Sequence, residues 1–147
     1  MNKVFFILFL TVNLFGQQKE YIWFNKLDEN LGLPANKVGD LFSDSEGFVW
    51  IGSHAGLSRF DGKSLKIYRA TPGDSSKLQN DFIAGGFFED SNKNIWFCTD
   101  NSIACFNRKK NTFSDFYVVN EKGFKSPGSY YGIFLERDTF LWMKTGD

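Results

Sequence analysis

Trp50, Trp96 and Trp142 stand at equal intervals, the steps from 50 to 96 and from 96 to 142 both being 46 residues. The flanks repeat with them. Leu41–Trp50 aligns with Phe87–Trp96 and with Ile133–Trp142. Downstream, Ile51-Gly52-Ser53 aligns with Phe97-Cys98-Thr99, and Leu57–Asp61 with Ile103–Asn107. A period of this size marks a structural repeat, in which each unit cannot bury its apolar surface alone and must stack on its neighbours.

Within one period the pattern alternates between short apolar runs and turn residues. Val38–Ser43 predicts a first strand and Asp44-Ser45-Glu46-Gly47 a turn, with an acidic first residue and a terminal Gly. Phe48–Ser53 predicts a second strand, Ala55-Gly56 a tight two-residue connection, Leu57–Phe60 a third strand and Leu65–Tyr68 a fourth. No 3.6-residue apolar period runs through the chain, which excludes helical solenoids. Val49 and Ile51 alternate with Trp50, so the second strand is apolar on both faces. A sheet with one wet face would not need that; a sheet stacked between two others does. The expected fold is therefore all-β: β-propeller blades of four antiparallel strands, about two complete blades plus a partial third in an incomplete ring.

The boundaries follow from the repeat. Residues 1–16 read as an export signal, with Lys3 before the apolar run Val4–Leu10 and Gly16 as the small residue before the cut. Residues 17–32 carry Tyr21-Ile22-Trp23-Phe24, which matches the fourth strands and would complete the closing blade of a full ring. Residues 33–77 are blade 1, 78–123 blade 2 and 124–147 the partial blade 3. The mature chain is expected at the periplasmic or extracellular face. Seventeen basic and seventeen acidic side chains cancel, so no net charge favours nucleic acid as a partner.

The motifs Gly32-Leu33-Pro34, Asp44-Ser45-Glu46-Gly47, Trp50-Ile51-Gly52-Ser53 and Gly56-Leu57-Ser58-Arg59-Phe60 resemble the two-component regulator propeller repeat. The second copy departs from it at Lys93, Cys98 and Ser102, each of which replaces a Gly. The resemblance covers about residues 21 to 147. It implies the N-terminal part of the periplasmic sensor region of a hybrid two-component system, which continues into more blades, a β-sandwich, a membrane span, a histidine kinase and its phosphorelay partners. It also implies a small-molecule ligand, with oligosaccharides the expected class. Membrane contact only through a downstream span, and a dimer in the full-length sensor, belong to the same expectation. Histidine kinase activity would lie downstream and not in this chain.

Ser53 beside His54, the only histidine, invites a catalytic reading, but the Ser is not centred between glycines and has no third orienting group. Asp90-Ser91-Asn92-Lys93-Asn94 imitates a calcium loop but has Ile95 where the loop needs Gly and Asn101 where it needs Glu. Neither a catalytic residue, a metal site nor a cofactor is expected. Blade geometry gathers the connection into the first strand and the loop between strands two and three on one rim. This makes Asn36, Lys37, His54, Asn80, Asp81, Asp100 and Asn101 the candidate ligand-binding residues. Cys98 and Cys105 fall opposite each other if Asn101-Ser102 forms the hairpin loop. Export favours their disulfide, while two buried thiols filling space remain the alternative. Two rival functions stay open. A secreted propeller lyase or hydrolase would repeat a His or an acid pair on one rim, and a protein-interaction scaffold would show an apolar rim.

Overall fold

The computed structural model describes residues 26–27, 30, 32–117, 119, 122–123, 130–136 and 140–145. The expected export signal at 1–16 and the strand at Tyr21–Phe24 lie outside the described residues. Among the described residues ten strands follow in order: β1 (Val38–Ser43), β2 (Val49–Ser53), β3 (Gly56–Phe60), β4 (Leu65–Tyr68), β5 (Ile83–Glu89), β6 (Ile95–Thr99), β7 (Ile103–Asn107), β8 (Thr112–Phe116), β9 (Tyr130–Glu136) and β10 (Phe140–Thr145). They form two four-stranded sheets, β1-β2-β3-β4 and β5-β6-β7-β8, and the pair β9-β10, every pairing antiparallel. The fold is thus an all-β stack of propeller blades, as expected.

Blades 1 and 3 each contribute one face to an interface, and blade 2 contributes both. Trp50, Leu57 and Leu78 pack with Ile83, Ile95, Phe97, Ala104 and Phe106 in one buried cluster between blades 1 and 2. The opposite face of blade 2 offers Cys98 and Ile103 to Tyr130 and Ile133 of blade 3. Strand alternation sorts the residues this way: Trp96, Cys98, Ile103 and Cys105 share one face, while Ile95, Phe97, Ala104 and Phe106 share the other. Trp50 is fully buried, its ring 5.2 Å from that of Phe106. Burying one such side chain contributes about 1.5–3 kcal/mol. At the ends of the stack, Val38 and Leu41 of blade 1 and Trp142 of blade 3 remain exposed.

The Asp turn explains why Asp and Trp recur six residues apart. Asp44 Oδ1 accepts the Glu46 and Phe48 amides at 2.9 Å, and Oδ2 accepts the Trp50 indole N–H at 2.8 Å. Asp90 repeats this with Asn92, Asn94 and Trp96. Lys93, which takes the place of Gly47, keeps its left-handed backbone, with φ 68° against 86°.

Two loop readings are corrected. The β2–β3 connection is His54-Ala55, because Ser53 pairs with Gly56. Gly56 is instead the first residue of β3, and a Cβ there would meet the Tyr68 carbonyl oxygen at 2.8 Å. In blade 2 the loop is Asp100-Asn101 rather than Asn101-Ser102, closed by the Thr99 amide on the Ser102 carbonyl at 2.9 Å and by their paired hydroxyls at 2.7 Å. That shift overturns the facing of the cysteines. Cys98 pairs with Ile103 and Cys105 with Trp96, so the thiols lie diagonally on one face, and both are free and buried. Diagonal neighbours sit about 7–8 Å apart, beyond the usual reach of a disulfide. Burial pushes both thiols up to about 12.

A further difference was hidden by the Trp spacing. Val38 pairs with Ser53 and Phe42 with Trp50, leaving three residues of β1 between the pairs. In β5 the equivalent pairs are Ile83 with Thr99 and Phe88 with Trp96, leaving four. The extra residue is taken up at Gly85-Gly86, with φ 121° and 67°. Asp40 Oδ2 holds this bulge by accepting the Gly86 amide at 2.9 Å.

Candidate functional site

Antiparallel blades place alternate loops at opposite ends of the sheet. The β2–β3 and β6–β7 loops, together with the connections entering β1 and β5, form one rim. The β1–β2, β3–β4, β5–β6 and β7–β8 turns form the other.

The first rim brings the sequence candidates together. The His54 ring lies 4.1 Å from that of Phe82, tilted by 33°. The Gly56 amide donates to the Asp81 carbonyl at 2.7 Å, and Asp81 Oδ1 accepts the Ala70 amide at 2.7 Å. Asn80 Oδ1 accepts the Phe82 amide at 2.8 Å, and its Nδ2 reaches Asn101 Oδ1 at 3.3 Å. The Asp100 amide meets the Phe82 carbonyl at 3.2 Å. His54 of blade 1 is thereby linked through the 80–82 segment to Asp100 and Asn101 of blade 2. Asn36 and Lys37 are exposed just before β1, and the pairing of Val38 with Ser53 sets them beside the His54 loop. All seven candidates share this rim, but Asp81 and Asn80 already spend part of their bonding capacity on the connection itself. The residue that sequence reading missed is Phe82, an aromatic ring directly after Asn80-Asp81, and that adjacency was the available signal.

The opposite rim is held by charge. Arg108 places Nη2 2.8 Å from Asp44 Oδ2, Nη1 2.6 Å from Glu46 Oε2 and Nη2 3.5 Å from Glu89 Oε1, while its Nε donates to the Lys93 carbonyl at 3.0 Å. Burial pushes the Asp44 carboxyl up. The hydrogen bonds from Trp50, Arg108 and the Phe48 and Glu46 amides outweigh that and hold it below the ordinary carboxylate range. Arg108 belongs to blade 2 and Asp44 to blade 1, so this rim clamps the two blades. Among the described residues no cluster of His, Cys, Asp or Glu could hold a metal ion.

Residues 32–55 and 77–101 match the family described as two component regulator propeller. The chain is 35% identical over 78 residues to histidine kinase P4 of Formosa agariphila, a match covering 52% of this chain and 6% of the kinase. Its fold is similar to the extracellular domain of a putative hybrid two component system from B. thetaiotaomicron, with TM-score 0.66 and 22% identity, covering 81% of this chain and 17% of that one. Two structures of a second extracellular domain from that organism, described as a putative one component and a putative hybrid two component system, are 30% and 28% identical. Both have TM-score 0.61 and cover 75% of this chain and 15% of theirs.

Proposed function

Since residues 32–55 and 77–101 match the two component regulator propeller family, we propose that this chain forms part of the extracytoplasmic sensing region of a two-component signalling protein, with the His54 rim meeting a soluble oligosaccharide. The similarity to extracellular domains of such systems supports the location and the signalling role. One observation carries the choice of rim: the tilted pair of His54 and Phe82 rings lies beside the hydrogen-bonded side chains of Asn80 and Asn101, with Asp100 tied to Phe82 through its backbone amide. A sugar presents hydroxyls at its edge and C–H groups on its faces, so it asks for such donors and acceptors around an apolar plate. In this reading the chain binds and does not catalyse, and phosphoryl transfer belongs to a kinase domain elsewhere in the protein.

The test is calorimetry with a panel of neutral glycan fragments on the longest soluble form that carries these blades. Ala substitutions then follow at Asn36, His54, Asn80 and Asp100. His54→Ala is expected to weaken binding about tenfold, the cost of one good polar contact. Wild-type affinity in all four variants would put the ligand on another face.

A further inference from the structure

Arg59 and Lys66 stand directly opposite each other across the β3–β4 pairing. Like charges in that position repel. Among the described residues neither meets a carboxylate. The Arg59 guanidinium lies over the Phe48 ring, 4.3 Å from its centroid, and 5.9 Å from that of Trp50. Lys66 Nζ sits 5.0 Å over the Tyr68 ring and reaches Asn111 Oδ1 at 3.5 Å. Asn111 lies on the β7–β8 turn of blade 2, so the two cations line the seam between blades.

The acids along this seam are committed elsewhere. Asp44, Glu46 and Glu89 surround Arg108. Asp61 accepts the Lys63 and Ser64 amides at 2.8 and 2.7 Å and the Ser64 hydroxyl at 2.8 Å, all within its own turn. Lys109 and Lys110, exposed on the neighbouring turn, add positive charge. The chain as a whole is neutral, so this concentration of cations is local.

We propose that the seam is an anion site, in which Arg59, Lys66 and the Asn111 amide receive a sulfate or carboxylate group of a soluble ligand. Attraction to the Phe48 ring face holds the Arg59 guanidinium without using its N–H donors, which stay available to a planar or tetrahedral oxyanion. Such an anion accepts charge-assisted bonds from both cations and turns their mutual repulsion into a shared attraction. The site lies on the rim opposite His54 and does not depend on the oligosaccharide reading of that rim.

The experiment is calorimetric titration of the whole chain with inorganic sulfate, a sulfated oligosaccharide, a uronate oligosaccharide and a neutral one, at low and high salt. The anionic compounds are expected to bind at this seam with affinity falling as salt rises, while any binding of the neutral one should be indifferent to salt and to substitution of Arg59 or Lys66. Preference between the sulfated and uronate compounds identifies the group recognised. Arg59→Gln and Lys66→Gln should each weaken the binding of inorganic sulfate about tenfold. Lys66→Glu, which faces Arg59 with an opposite charge, should abolish binding while holding or raising the melting temperature. That separates a lost site from a lost fold. The proposal fails if no anion binds at low salt, or if Arg59→Gln and Lys66→Gln bind as the wild type does.

Discussion

Asp44 accepts hydrogen bonds from two backbone amides, an indole and a guanidinium, and its response to acid follows from that crowding. A carboxylate held below its unfolded pKa, near 3.9, stabilises the fold above that value. The contribution disappears as pH falls through the lower, folded value. Asp90, also depressed though burial opposes it, adds in the same direction. Urea unfolding should therefore show stability steady above about pH 5 and falling below about pH 4. Arg108→Ala leaves the Asp44 carboxylate buried without its cation, which is expected to cost about 3 kcal/mol near neutral pH. Because burial then raises the Asp44 carboxyl, the variant should also lose less of its remaining stability in acid. An unchanged acid limb would mean that Asp44 does not govern it.

At the scale of the strand, the bulge in β5 carries the sharpest prediction. A Cβ on Gly86 would meet the Gly132 Cα at 2.9 Å, on a backbone already at φ 67°. Gly86→Ala therefore sets blade 2 against blade 3 and should destabilise by about 2 kcal/mol or more. Removing Gly86 altogether returns β5 to the three-residue spacing of β1 and should cost less, although the bond to Asp40 is lost. Thermal unfolding of the two variants decides between these outcomes. The strands themselves were legible from the Trp interval, since repeated apolar runs and Asp turns mark elements independently of packing. The hairpin register of blade 2 was not. Asn101-Ser102 and Asp100-Asn101 are both acceptable turn dipeptides, and the choice rests on Thr99 and Ser102 bonding each other. The Gly85-Gly86 insertion escaped for another reason: Trp96 still falls 46 residues after Trp50, so the interval carries no mark of it. The rim candidates were found from loop position alone. Phe82 was passed over because an apolar residue just before a strand reads as the strand's own.

For the whole molecule, the two ends of the stack decide behaviour in solution. Leu41 is 61% exposed and Trp142 53%, and Leu27, Leu33, Val38, Leu41, Val49 and Ile51 surround an apolar hollow of about 280 Å³. Repeat arrays draw much of their stability from neighbour interfaces, so both faces are incomplete as described. Expressed as given, the chain should bind hydrophobic dyes and associate as its concentration rises, and Leu41→Lys should lessen both effects. Sedimentation that shows a monomer at every concentration, with no dye signal, would contradict this.

The strand order within each sheet has a consequence in time. Every hydrogen-bonded neighbour in a blade is also the next strand in the chain, so a blade needs nothing that has not already been synthesised. A polypeptide emerging N-terminus first is able to fold one blade at a time behind the leading end, each new sheet settling on the one before it. Among the described blades the one bearing Leu41 is made first, and its outer face is not covered by the two that follow. It would wait longest in the open, which makes it the place where a folding helper, or a wrong partner, would find the chain.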